Sequence, residues 1–155
     1  MHWILLICLL LSSGSVLAEE VVLRFPQFAD GSEAGLEAQT RIMLRNNGSG
    51  RLSGAIHFFS PDGSPADLTG LQEGGNPIPF ELPPWGVQEF RTGGAGALKS
   101  GFVEVSLAEG VATFLKGTEV FEISGLPVSV ENAEPALLHR LYVRHNWEEA
   151  TGVAV

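Results

Sequence analysis

The sequence predicts an all-β chain whose strands form an antiparallel, two-sheet sandwich behind an N-terminal signal peptide. Two observations favour this class. Apolar and polar residues alternate in short segments, which is the pattern of strands with one buried face. Glycine and proline interrupt nearly every window of about a dozen residues, so no helical spacing of apolar residues is sustained. Roughly ten short strands at such close spacing are typical of a sandwich.

Residues 1–18 form the predicted signal peptide and lie outside the fold. Residues 3–11 are an unbroken apolar run, a Ser-Ser-Gly-Ser segment ends it, and Val16-Leu17-Ala18 offers a cleavage site. The n-region is weak because it carries no Lys or Arg. A retained anchor is disfavoured, since a spanning helix needs about 20 apolar residues. We expect cleavage after Ala18 and a mature chain that is secreted, periplasmic or part of the cell envelope.

Charge and cysteine content exclude several functions. All nine Lys and Arg and all eighteen Asp and Glu follow residue 18, so the mature chain carries the full net charge of −9. Phosphate binding needs a basic patch, so we expect no nucleic-acid partner. We also expect no stable membrane insertion after cleavage. Cys8, the only cysteine, lies in the predicted signal peptide, so the mature chain has no thiol nucleophile and packing must stabilise it.

Residues 40–65 are predicted to be the hairpin around which the chain is organised. Two alternating strands flank an Asn-Asn-Gly-Ser-Gly loop, and placing Arg45 opposite Arg51 brings most large apolar residues to one side. The predicted core residues of this hairpin are Ile42, Leu44, Leu52, Ile56 and Phe58. The predicted exposed face carries Met43, His57 and Phe59.

The other segments are predicted to be edge strands and a meander. Pro26 interrupts an extended piece at 21–28, which indicates an edge strand or a bend between two short strands. A loop is predicted at 29–37. Pro77 and Pro79 share one parity in a strand at 77–82, so their missing donors fit a sheet edge. Further strands are predicted at residues 66–71, 87–92, 101–107, 111–115, 120–123, 137–143 and 151–155.

Several motifs recur in the order expected of a known repeat. They are FPQFADG (25–31), RIMLRNN (41–47), GAIHFFSPDGSP (54–65), PFELPPWG (79–86), EFRTGGAGALKSGFVEV (89–105) and SGLP (124–127). Together they resemble an Ig-like β-sandwich repeat of secreted proteins from environmental bacteria. The resemblance covers most of the mature chain and implies an Ig-like sandwich fold. It implies no catalytic residues, because no activity is assigned to that repeat.

The C-terminal segment has two explanations. Residues 140–155 resemble a shortened copy of residues 24–44, with an extended strand, a polar loop and a Thr-containing strand. In the first, residues 19–135 form the sandwich domain and residues 136–155 begin a second, truncated repeat. In the second, residues 136–155 are a hairpin that closes the sheet of the first domain.

No catalytic or metal-binding pattern emerges from the sequence. The mature chain has three histidines, His57, His139 and His145, and none forms a close pair such as His-x-His. A Gly-x-Ser-x-Gly nucleophile motif is absent. The strand carboxylates Glu89, Glu104 and Glu122 are predicted to be solvated. We therefore expect a chain that is not an enzyme and that uses no cofactor and no metal.

Aromatic side chains are the best indication of binding. The candidates for partner contact are Met43, His57, Phe59, Trp85 and Trp147. Exposed aromatics stack on sugars or anchor a protein partner, unless a second sheet, a loop or a neighbouring repeat covers them. We expect a structural or spacer module, or a weak adhesive unit. The alternative is a carbohydrate- or protein-binding module that uses these residues.

The N-terminal prediction can be tested directly. When the full chain is expressed with its own leader, we expect the exported form to begin at Glu19, because signal peptidase cuts after a small residue such as Ala18. N-terminal sequencing of the exported fraction checks this. Recovery of the chain in the membrane fraction, still beginning at Met1, would contradict it.

Overall fold

The computed structural model describes residues 20–68, 70–71 and 75–130, and its regular structure there is almost entirely β. The strands are β1 (Glu20–Glu33), β2 (Leu36–Asn46), β3 (Leu52–Phe59), β4 (Ile78–Leu82), β5 (Val87–Arg91), β6 (Lys99–Glu109), β7 (Leu115–Ile123) and β8 (Leu126–Val130). One 3-10 turn, Ala112–Phe114, connects β6 to β7. Within the described residues, no helix is long and apolar enough to cross a membrane.

The strands form one curled antiparallel sheet with the shape of a half-barrel. Their order is β4-β3-β6-β1-β2-β7-β8, and β5 pairs with β2. Strand β1 connects the two halves, because it pairs with β6 along most of its length and with β2 at its end. The predicted all-β, antiparallel class is confirmed. The predicted edge position of the strand at 77–82 is also confirmed, since β4 ends the sheet.

Strand β1 differs from its prediction in two ways. It is not an edge strand, because β6 and β2 pair with it. Pro26 does mark a bend, since the register with β6 shifts between Phe25 and Phe28. The loop predicted at 29–37 is wrong, because β1 runs on to Glu33. The chain then turns at Ala34-Gly35 with φ of 49° and 82°, as in a type I′ hairpin turn.

The predicted hairpin of residues 40–65 is wrong in its pairing. Strands β2 and β3 are not paired: β2 lies between β5 and β7, and β3 lies between β4 and β6. Residues 47–51 therefore cross from one half of the sheet to the other. The prediction failed because alternation shows only which face of a strand is buried. It does not show which strand lies next to it in the sheet.

The core lies inside the curl and joins both halves. All five predicted core residues are buried: Ile42, Leu44, Leu52, Ile56 and Phe58. The Phe28 and Phe58 rings meet edge to face with centroids 5.3 Å apart. The Phe80 and Phe90 rings, 6.4 Å apart, join β4 to β5. Contacts of this kind bury the apolar faces that drive folding.

The remaining differences are local. The strand predicted at 111–115 is the 3-10 turn followed by the start of β7. The described residues of segment 66–71 contain no strand. Pro65, just before this segment, forms an isolated bridge with Phe59. The strands predicted at 137–143 and 151–155, the predicted signal peptide and both explanations of residues 136–155 lie outside the described residues.

Glu119 is a buried carboxyl in an apolar core. It faces inward on β7 and is 1% exposed, and its cross-strand partners are Ile42 on β2 and Val130 on β8. Neither carboxyl oxygen has a hydrogen-bond partner. Burial raises the pKa of Glu119 from 4.5 to about 9, because loss of water disfavours the charged form. The side chain is therefore neutral at physiological pH.

Replacing Glu119 with leucine should stabilise the protein at neutral and alkaline pH. The unfolded carboxyl ionises near 4.5 and the folded one near 9, so the unfolded state binds fewer protons between these values. Wild-type stability therefore falls as the pH rises through this window. Glu119→Leu should remove this decline and add roughly 2 kcal/mol to the free energy of unfolding near neutral pH.

Urea unfolding at several pH values across the window measures this effect. Glu122→Gln, on the same strand but facing outward, is the matched control and should leave the slope of stability against pH in place. A wild-type stability that is flat between the two pKa values would contradict the buried, neutral carboxyl.

Candidate functional site

Three connections meet at one end of the molecule, which we call the loop end. They are residues 47–51, 83–86 and 110–114. The backbone N–H of Asn47 donates to the carbonyl oxygen of Phe114 over 2.8 Å, and the N–H of Trp85 donates to that of Gly48 over 3.2 Å. The three loops are therefore hydrogen-bonded to one another.

The side chain of Asn46 holds this arrangement together from inside. Its amide nitrogen donates to the carbonyl oxygens of Gly50, at 2.6 Å, and of Pro83, at 3.0 Å. Its amide oxygen accepts from the backbone N–H of Gly48, at 2.8 Å. Its own backbone N–H donates to the carbonyl oxygen of Gly86, at 2.9 Å. The Asn46 side chain is fully buried, so its polar atoms rely on these bonds rather than on water.

Trp85 stands in a turn position that its residue type does not favour. The Gly86 N–H donates to the Pro83 carbonyl oxygen over 2.9 Å, which closes a β-turn with Pro84 and Trp85 at its centre. Trp85 has φ of 60°. This is the left-handed value that a type II turn requires at its third residue, where glycine or asparagine is usual. The indole is nevertheless 65% exposed, so the turn presents it to solvent.

Other exposed apolar side chains lie at the loop end with Trp85. We call Trp85, Val87, Val111 and Phe114 the apolar patch of the loop end. Phe114 lies over Gly48, where an added Cβ would come within 2.7 Å of its ring. Glycine at this position therefore lets the ring settle on the β2–β3 loop. Exposed apolar residues gathered at one end of a domain are typical of a contact surface.

Two cations flank the patch. Arg45 on β2 lies directly opposite Val87 on β5 and Lys116 on β7, and both cations are exposed. Neither has a carboxylate partner among the described residues. The other five cations of that part of the chain do have one, in the pairs Arg24–Glu104, Arg41–Glu89, Arg51–Glu81, Arg91–Glu89 and Lys99–Asp67. Like charges directly opposite each other disfavour strand pairing, so the fold gains nothing from this pair.

A cleft of about 240 Å³ lies at the other end of β2. Its walls include the acidic residues Glu37 and Glu122, with Gly93, Gly94 and Gly125 between them. Glu122 is 3.6 Å from Arg41. The glycines leave the walls without side chains, so the cleft is open to an incoming group. We call it the acidic cleft.

The structure separates the residues that sequence analysis put together. Met43 lies on β2, while His57 and Phe59 lie on β3, and β6 and β1 stand between these strands in the sheet. The predicted common face of Met43, His57 and Phe59 is therefore wrong, because the hairpin it rested on does not form. Trp85 is exposed at the loop end. Trp147 lies outside the described residues.

His57 and Phe59 belong to a row of three rings on the outer face of β3 and β6. Phe59 stacks on Phe102 at 5.1 Å and on His57 at 6.2 Å. The rings stack on each other, so they present mainly their edges to the outside. The His57 Nε2 atom lies 2.9 Å from the Ser106 hydroxyl, which is the spacing of a base and a nucleophile. Ser106, however, is 2% exposed, so its hydroxyl is out of reach of a substrate.

Comparison with family models, with curated proteins and with solved structures finds no match for this chain. Within the described residues, no group of three His, Cys, Asp or Glu side chains is placed to hold a metal ion. The role of the loop end is therefore argued from its contacts and exposed residues alone.

Trp85 is predictable from the sequence, but the roles of Asn46 and of the two cations are not predicted. The sequence places Asn46 in a polar turn. Its parity, which is that of the buried Ile42 and Leu44 on β2, is the signal that indicates a buried asparagine. The pairing of Arg45 with Lys116 had no local signal, because it depends on β2 and β7 becoming neighbours.

Asn46→Ala should destabilise the protein by roughly 2–4 kcal/mol, because it removes three side-chain hydrogen bonds and leaves the buried N–H of Gly48 without its amide acceptor. Denaturant unfolding measures this loss, and acrylamide quenching of tryptophan fluorescence reports any loosening around Trp85. Asn47→Ala is the matched control. The bond from its backbone N–H to Phe114 survives the change, so its stability should stay within about 0.5 kcal/mol of wild type. Equal effects of the two variants would contradict the role given to Asn46.

Proposed function

We propose that the chain is an exported, non-enzymatic module that acts as a spacer and weak adhesive unit, with the loop end as its contact surface. The observation that carries this proposal is the conformation of Trp85. A bulky residue in left-handed conformation costs about 1–2 kcal/mol. Its side chain is exposed and recovers little of that cost by burial. A residue that is unfavourable for the fold and presented to solvent points to a role in contact with a partner.

The surroundings of Trp85 suit adhesion. Exposed Trp and Arg are enriched among the residues that dominate binding energy, and both occur at the loop end. The loops are bonded to one another and to Asn46, so little ordering is needed when a partner binds. The patch is small, which favours a weak contact.

A protein partner fits the loop end better than a carbohydrate. The loop end carries Val87, Val111 and Phe114 as well as Trp85, all of them exposed, so its surface is largely apolar. Apolar side chains of this kind anchor in the pocket of a protein partner. The row of rings at His57, Phe59 and Phe102 supports a carbohydrate platform poorly, because its ring faces are turned toward each other.

The Ig-like sandwich forms part of the same proposal. Its support is the shared core, in which side chains of β2, β5 and β7 pack with those of β3, β4 and β6. The antiparallel pairing throughout the strands agrees with it. A sandwich of this kind holds its loops at its two ends, and in the proposed fold the loop end and the acidic cleft would be these ends.

Trp85→Gly tests the proposal while keeping the turn. Glycine is the preferred residue at this position, so the variant should fold and be as stable as wild type or up to about 1 kcal/mol more stable. Its retention on isolated cell envelopes of the producing organism should fall on the order of tenfold or more. Co-sedimentation of the purified mature chain with the envelopes measures retention.

Met43→Ala is the control for this experiment, because Met43 is an exposed apolar residue of β2 that lies opposite Glu89 and Thr118 and does not belong to the apolar patch. It should be retained like wild type. Retention of Trp85→Gly at the wild-type level would contradict the loop end as the contact surface. The same chain carrying Trp147→Phe gives a fluorescence signal from Trp85 alone, and titration with a polysaccharide panel should leave that signal unchanged.

A further inference from the structure

We infer that the loop end docks into the acidic cleft of a second copy of this chain, so that copies associate head to tail. This inference rests on the proposed role of the loop end and names its partner. Arg45 and Lys116 would meet the carboxylates of the cleft, and Trp85 would lie against its mouth.

Charge complementarity is the first argument. The chain is acidic, with a net charge of −9, and five of the seven cations in its described residues are already paired with carboxylates of the same copy. The two exceptions, Arg45 and Lys116, are adjacent and exposed beside the apolar patch. They are placed to bind an acidic surface. Glu37 at the cleft is exposed, and no described cation forms an ion pair with its side chain.

Open access to the cleft is the second argument. Gly93, Gly94 and Gly125 line the cleft without side chains, and its volume is about 240 Å³. The long side chains of two cations from a second copy can therefore reach Glu37 and Glu122 from outside.

The positions of the two surfaces fix the kind of assembly. Ala38 lines the cleft and Asn46 organises the loop end, and both lie on β2, about 27 Å apart at the rise of an extended strand. The two surfaces are different and lie at opposite ends of the molecule. A contact between unlike surfaces leaves one of each free after every addition, so copies assemble beyond two into an open chain or a closed ring.

Sedimentation equilibrium of the full mature chain over a wide concentration range tests the inference. For wild type and for the Met43→Ala control, the weight-average mass should rise past two copies as concentration increases. Trp85→Gly removes the exposed indole of the loop end, and Glu37→Arg reverses a charge at the cleft. Each variant alone should associate at least about tenfold more weakly than wild type.

A mixture of these two variants gives the decisive result. Trp85→Gly keeps an intact cleft, and Glu37→Arg keeps an intact loop end, so an equimolar mixture should form complexes of two copies and stop there. Thermal unfolding of each variant, expected within a few degrees of wild type, shows that a lost association is not a lost fold.

Three outcomes would overturn the inference. They are a wild type that stays monomeric, a wild type that stops at a dimer, and a mixture that associates no better than its separate components. The envelope experiment distinguishes these from failure of the proposed function. If Trp85→Gly loses retention on envelopes while wild type stays monomeric, the loop end is a contact surface and its partner is not a second copy.

Discussion

The buried amide of Asn46 is the constraint on which the exposed end of this protein depends. One side chain bonds to two of the three loops, and the third is bonded to them through the backbone of Asn47. Without the Asn46 side chain the buried N–H of Gly48 would lose its bond to the amide oxygen, at a cost comparable to a lost hydrogen bond. The amide supplies both donors and an acceptor, which no apolar side chain can do. It therefore fixes where Trp85 and Phe114 stand.

A second constraint comes from strand β1. It pairs with β6 and with β2, and its bend at Pro26 lets one strand take part in both halves of the curled sheet. The curl then brings the apolar faces of both halves into one core. That core tolerates one unfavourable group, the neutral carboxyl of Glu119, because the surrounding apolar burial far exceeds the cost of one unpaired polar side chain.

The features that point to function are those that the fold does not need. Trp85 occupies a turn position suited to glycine, and Arg45 lies opposite Lys116 without a carboxylate partner in the described part of the chain. At the opposite end, glycine walls open an acidic cleft. Each is neutral or unfavourable for stability, and together they form two complementary surfaces. This division between a stabilising interior and costly surface features is the physical basis of the proposed adhesive role.

The sequence by itself determined the all-β class, the buried parity of β2 and β3, the edge position of β4 and the candidate Trp85. These follow from alternation, proline chemistry and turn composition, which act within a few residues. Strand pairing depends on contacts between distant segments, so parity could not show that β2 lies between β5 and β7 rather than beside β3. For the same reason the sequence placed Met43 with His57 and Phe59. The tertiary structure alone decided that Arg45 meets Lys116, that Asn46 holds the loops and that a cleft opens between Glu37 and Glu122, because each requires strands distant in the chain to become neighbours.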